Sequence, residues 1–217
     1  MNDELTAFHR LSTILDTLRQ KCPWDKKQTM KSLRYLTIEE VHELSEAITA
    51  LSEGGEGSTD LKKELGDIAM HILFYCKLAE EQGLFSTADV YNAISDKLID
   101  RHPFIYHKDE YHGESWEQLK MREGRRDVLE GVPDSLPSLV KAVRMQEKVA
   151  GISGAGKEQG AENEAWSATL DGDVTEEQLG ETLFDLVDWA RRHGINADDA
   201  LCGANLRFKK AHSTNNK

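Results

Sequence analysis

Two pairs of carboxylates carry the chemistry that can be read from this chain. Glu40 and Glu43 are three residues apart in TIEEVHELSEAI, and Glu64 and Asp67 are three apart in DLKKELGDIAMHILFY. Both stretches have the apolar period of a helix, on which positions i and i+3 share a face, so each pair presents its carboxylates in one direction. The glycine-rich break EGGEGST between them lets the second helix turn back antiparallel to the first, which brings the pairs together. Two unit negative charges about 4 Å apart repel by roughly 4 kcal/mol at an effective dielectric near 20, so such a gathering demands a positive partner. An all-oxygen donor set suits a hard divalent cation, Mg2+ above all, which retains waters and shares its site with substrate phosphates. Leu36, Ile38, Val41 and Leu44 on the first stretch, with Leu65, Ile68, Ile72 and Leu73 on the second, are expected to press both pairs toward the protein. The alternative is a pair of solvated faces, where Glu and Asp are common. Glu39-x-x-His42 also has the form of an acid–histidine pair from a di-iron bundle, but a second such pair is needed, and Asp67 and His71 are spaced by four rather than three.

Composition narrows the classes. The chain has 217 residues, 27 Lys plus Arg against 39 Asp plus Glu, and a net charge of −12, so its surface as a whole is no binder of nucleic acid or acidic membranes. An anionic substrate must be drawn in locally, by metal or by clustered Lys and Arg. Cys22, Cys76 and Cys202 are too few and too scattered for a disulfide framework or a metal knuckle. The first residues, MNDELTAFHRL, are acidic and amphipathic, and no run approaches the roughly 20 apolar residues of a membrane span, so the expected location is the cytoplasm.

The elements that must position the acids read as helices throughout. Residues 3–20 place Leu5, Phe8, Leu11, Ile14, Leu15 and Leu18 at helical spacing, and CPWDKKQT follows as a loop around Pro23. Helices over 30–52 and 60–82 hold the carboxylates, Gly83 ends the second, and a fourth over 87–101 starts at Ser86 or Thr87. The stretch HPFIYHKDEYHGES is irregular and 116–130 is a further helix. No segment alternates with period two, so the class is all-α. Beyond Gly131 a helix emerges from VPDSLPSLVKAVRMQEKVA and gives way to the Gly-rich, polar GISGAGKEQGAENEA.

The C-terminal part repeats the centre: the segment from Gln178 aligns with the one from Glu64, through a shared LG, a helix, a Gly-containing turn, an AD start and a basic end. The copies differ at the acids. Gln178 replaces Glu64, Glu181 replaces Asp67, Leu206 replaces Lys97 and Lys210 replaces Arg101, and nothing like EEVHE precedes the second copy. It is expected to pack without holding metal.

CPWDKKQT, the pattern Glu39-Glu40-x-x-Glu43 with Glu64-x-x-Asp67, SDKLIDRHPF, SWEQLK and GVPDSLPSLVKAVRMQEKVA together resemble the MazG-type nucleoside triphosphate pyrophosphohydrolases of the all-α NTP pyrophosphatase superfamily. The ordered motifs run from about residue 5 to 150, and the weaker repeat extends the likeness to 212. The resemblance implies a helical-bundle fold of tandem modules: a catalytic module over 1–130, a helix and linker over 131–165, and a shortened second module over 166–217. It implies Mg2+-dependent hydrolysis of a nucleoside triphosphate to monophosphate and pyrophosphate, with Mn2+ as a substitute and the clearing of non-canonical nucleotides as a role. It implies metal ligation by Glu40, Glu43, Glu64 and Asp67, with Glu39 holding or deprotonating the attacking water. Lys97 and Arg101 would take phosphate oxygens, Trp116 and Lys120 the base or sugar and phosphate, and Trp24 the edge of the base pocket. A homodimer is expected, because one module supplies too few helices for a four-helix core. The competing reading is a nucleotide-binding or partner-binding module with impaired turnover, motivated by the degenerate second copy; within enzymes, a pyrimidine-specific relative stays open.

Overall fold

The structure, a computed structural model, describes residues 2–52, 57–114, 116–121, 127–153 and 174–212. No strand occurs among them, in keeping with the all-α class. The helices are α1 (Asp3–Lys21), α2 (Met30–Ser52), α3 (Ser58–Glu81), α4 (Thr87–Asp100), α5 (Pro103–Tyr106), α6 (Trp116–Met121), α7 (Ser138–Ser153), α8 (Glu176–Arg192) and α9 (Ala197–His212). They fall into two compact units, Met1–Leu98 and Ile99–Lys217.

In the first unit α2 and α3 form a hairpin whose antiparallel sense follows from its cross-links, Thr37 meeting His71 and Tyr75 while Glu40 and Glu43 meet Glu64. Its core is Leu15 of α1, Leu33 of α2 and Leu73, Phe74 and Leu78 of α3, with Leu11, Met30, Leu36, Met70 and Tyr75 packed around them. The CPWD loop is tied down by Arg19, whose Nη1 donates to the carbonyls of Asp25 and Gln28, while its other nitrogens hold Glu81 at 2.7 and 2.8 Å. The start of α4 is fixed twice: Ser86 and Asp89 exchange hydrogen bonds as a capping pair, and Glu80 of α3 accepts from the Thr87 backbone at 2.8 Å.

The flanking apolar residues do not all face inward as expected. Ile38, Val41, Leu65 and Ile72 are 47%, 50%, 52% and 43% exposed. They are exposed on the hairpin, so this unit carries apolar side chains toward solvent as well as toward its core.

In the second unit α7 packs against α6, α8 and α9. The helix expected over 116–130 is described only as Trp116–Met121, and residues 127–131 form a turn: Asp127 accepts from Leu129 N at 2.9 Å and Gly131 takes φ 81°. Lys148, 3% exposed, donates to the Val128 and Glu130 carbonyls at 3.0 Å and secures that turn. The stretch expected to be irregular contains α5, begun by Pro103, whose fixed φ suits a first helical position.

α3 and α8 end alike. α3 ends with Gly83 at φ 67°, its N–H bonded to the Glu80 carbonyl and that of Leu84 to Ala79; α8 ends with Gly194 at φ 70°, bonded to Arg191, with Ile195 bonded to Ala190. Both are the same left-handed termination, which glycine adopts without a Cβ penalty.

Candidate active site: a carboxylate cluster between two helices

Glu40 and Glu43 on α2 and Glu64 on α3 each bring a carboxylate oxygen to within 4.8 Å of the other two. Glu64 is 5% exposed, Glu40 is half-buried and Glu43 stands at the open side. Glu64 Oε1 accepts from Lys63 Nζ at 3.1 Å, whereas Glu64 Oε2 is buried with no hydrogen-bond partner. At 4.8 Å each pair of charges repels by roughly 3–4 kcal/mol at an effective dielectric of 20. Burial above all, then the charges of Asp67, Glu43, Glu64 and Glu39, raises the Glu40 pKa from its ordinary value. Asp67, one turn beyond Glu64, is therefore close enough to act on this centre. A buried carboxylate oxygen left without a donor, among acids that repel, fits a cation bound by oxygen atoms.

Beneath the acids a polar knot joins the helices. Thr37 Oγ1 lies 2.7 Å from both His71 Nδ1 and Tyr75 Oη, and also donates to the Leu33 carbonyl. His71 is 4% exposed, and burial lowers its pKa against the opposing pull of Asp67, so it is held neutral as a spacer. His42 is exposed on α2. Neither histidine joins the cluster, which removes the di-iron pattern among the described residues.

The remaining expected residues are placed less uniformly. Glu39 is exposed next to Glu40 and acts on it through charge. Lys97 is exposed in the last turn of α4. That helix stops at Asp100, so Arg101 follows it rather than completing an i, i+4 pair within it. Arg101 is 9% exposed with its guanidinium 5.5 Å from the centre of the Trp116 ring, a cation–π arrangement. Trp24 is 54% exposed at the loop tip, while neighbouring Asp25 is buried. Lys120 belongs to α6, and its side chain lies outside the described residues.

Two residues at these places escape sequence reasoning. His102 lies between two aromatic rings, 5.4 Å from that of Trp116 and 5.6 Å from that of Phe104, tilted 59° to each; its position directly after Arg101 in RHPF was the available signal. Lys63 is the other, an exposed cation beside a buried acid, and KKE gave no reason to single it out. The second copy settles differently. Gln178, the counterpart of Glu64, closes a capping box with Thr175, accepting from its N–H at 3.0 Å, so this position serves the start of α8 and not a ligand set.

Two predictions follow from the charges. Lys63→Met is expected to tighten divalent-cation binding several-fold, because a competing ammonium is removed from Glu64; isothermal titration with Mn2+ against the parent measures it, and equal affinities would contradict it. The raised Glu40 pKa gives a pH dependence of fixed sign. In the metal-free protein a folded pKa above the unfolded value stabilises below the unfolded pKa, and that contribution is lost as pH rises through the folded one. Cation binding needs the carboxylate form. The increase in Tm on adding Mg2+ is therefore expected to shrink as pH falls from neutrality toward the carboxylate range, as differential scanning fluorimetry would show.

A helical hairpin with a carboxylate cluster at its seam defines an all-α protein with a set of oxygen donors suited to a cation. The family model described as "MazG nucleotide pyrophosphohydrolase domain" matches residues 28–106, which contain all the clustered acids. The chain is 35% identical over 230 residues to the nucleoside triphosphate pyrophosphohydrolase of Escherichia coli K12, covering 95% of this chain and 86% of that protein. It is 31% identical over 222 residues to the nucleoside triphosphate pyrophosphohydrolase/pyrophosphatase MazG of Thermotoga maritima, covering 96% and 85%. The nucleoside triphosphate pyrophosphohydrolase of Mycobacterium tuberculosis is 33% identical over 140 residues, covering 61% of this chain and 41% of that one. The chain belongs to the MazG nucleotide pyrophosphohydrolase family.

Proposed function

We infer that this chain is a hydrolase that cleaves nucleoside triphosphates to the monophosphate and pyrophosphate. The observation that carries the reading is the meeting of Glu40, Glu43 and Glu64 at one point, with a buried oxygen of Glu64 lacking a donor. Family membership supports the reaction class. The acids of α2 and α3, Asp67 included, are proposed to hold Mg2+, with Mn2+ as a substitute. When bound, the cation supplies charge neutralisation of the polyphosphate and of the pyrophosphate as it leaves.

The chain's own residues do the rest. Glu39, outside the ligand set and exposed beside it, accepts a proton from the attacking water or orients it. Lys97 and Arg101 take phosphate oxygens, Arg101 with the fork geometry that suits them. Trp116, steadied by His102 and Arg101, offers its half-exposed face to the base. Lys120 and Trp24 complete the substrate contacts. No covalent intermediate is required.

The expected role is the removal of non-canonical nucleotides by a cytoplasmic homodimer. No described helix is long and apolar enough to cross a membrane. The exposure of the large apolar side chains Ile38, Val41, Leu65 and Ile72 supports burial against a second copy. The test is pyrophosphate release from a panel of canonical, deoxy and damaged triphosphates, with Glu40→Gln and Asp67→Asn run beside the parent. Release from the parent and its loss in both variants is expected; binding without release would support a sensor instead, and equal rates would defeat the site assignment.

A further inference from the structure

The acid cluster already meets a cation of the chain's own. Lys63, directly before Glu64 on α3, places Nζ 3.1 Å from Glu64 Oε1. The two ends of this contact are unlike: the Glu64 side chain is 7% exposed and that of Lys63 is 67% exposed. The carboxylate is fixed in the seam of the hairpin, while the ammonium reaches it from solvent on a flexible four-carbon stem. Its charge feels Glu64 first, through hydrogen bond and field, and then Asp67 and Glu43. Lys63 therefore stands at the mouth of the cluster, under the influence of acids from both α2 and α3.

That place cannot be kept once a divalent cation is held by Glu40, Glu43 and Glu64. Lys63 is then repelled by a like charge and is no longer needed to neutralise Glu64, and a side chain so exposed is free to turn away. A triphosphate brings several negative charges to the same point, because a hard cation on a few carboxylates shares its other positions with phosphate oxygens. We propose that Lys63 exchanges partners, pairing with Glu64 before the metal binds and turning to a phosphate oxygen of the triphosphate afterwards. The proposal deepens the pyrophosphohydrolase reading and rests on it. Lysine suits the part, since it binds phosphate as a point charge and needs no fixed fork. Lys63 thus adds a substrate contact from α3 to those of Lys97 and Arg101.

Isothermal titration of Lys63→Met separates this role from that of a competitor for the acids. Affinity for Mn2+ alone is expected to rise. At saturating Mn2+, affinity for the α,β-methylene analogue of ATP, which resists cleavage at the reacting bond, is expected to fall by about fivefold, the size of a partly exposed charge-assisted contact. Lys63→Arg keeps the charge and is expected to bind the analogue within about twofold of the parent. Lys62→Met makes the same change of net charge at the exposed position beside it, and is expected to stay within about twofold as well. The proposal is overturned if Lys63→Met binds the analogue as tightly as the parent or more tightly, which marks a competitor only. It is overturned equally if Lys63→Arg is as weak as Lys63→Met, or if Lys62→Met loses as much, which marks a general field. A parent that takes up no Mn2+, or Mn2+ but no analogue, overturns the pyrophosphohydrolase reading itself and the proposal with it.

Discussion

Glu64→Gln is expected to lower kcat/KM for triphosphate hydrolysis by two to three orders of magnitude while leaving the metal-free protein at least as stable as the parent. The loss follows because the most buried of the clustered acids can no longer give a full charge to a bound cation, whose neutralisation of the transition state is worth several kcal/mol, about tenfold for each 1.4 kcal/mol. The stability follows because Gln keeps the shape and an oxygen for Lys63, removes one repelling charge, and adds an NH2 that the acids around it can accept. Steady-state kinetics and thermal melts in chelator measure the two halves. A variant that hydrolyses normally would remove Glu64 from the site, and one that melts far lower without metal would make the residue structural.

Leu33→Ala is expected to cost about 2–5 kcal/mol of stability, a large part of the roughly 5–15 kcal/mol that holds a domain together. Leu33 is 1% exposed in the shared core of α1, α2 and α3, and its carbonyl accepts from Thr37 at 3.0 Å. A cavity there loosens the seam through which Thr37, His71 and Tyr75 set the register of the acids. Denaturant unfolding should show the fall in midpoint with an unchanged slope. Near-parent stability would mean that the seam can collapse around the missing atoms.

The helical hairpin was legible because two signals agreed: the apolar period of residues 30–52 and 60–82, and a glycine-rich break of turning length between them. Convergence of Glu40, Glu43 and Glu64 then followed from helix geometry. What surrounds them was not legible, because it depends on which helix faces which. Ile38 and Val41 form a second apolar stripe on α2, roughly 80–140° round the helix from Leu33, and it points outward because α1 packs on the Leu33 side. The Thr37–His71–Tyr75 knot joins residues 34 and 38 positions apart, and nothing local marks Thr37 as a hub. Arg101 was placed on α4 by its spacing from Lys97, but the helix ends one residue earlier, where the chain must prepare for Pro103, and the guanidinium turns to the Trp116 ring. Helix 116–130 was overextended because Asp127 is a good local acceptor that competes with helical bonding.

The capping box at Thr175 and Gln178 bears on what the second copy could become. α3 starts six residues before Glu64, whereas α8 starts only two before Gln178. Gln178→Glu would place the new acid in a role that either residue fills equally well, leaving fold and chemistry unaltered. Gln178→Glu alone is thus expected to leave turnover unchanged, because α7, the helix that packs on α8, would have to bring acids of its own to that seam.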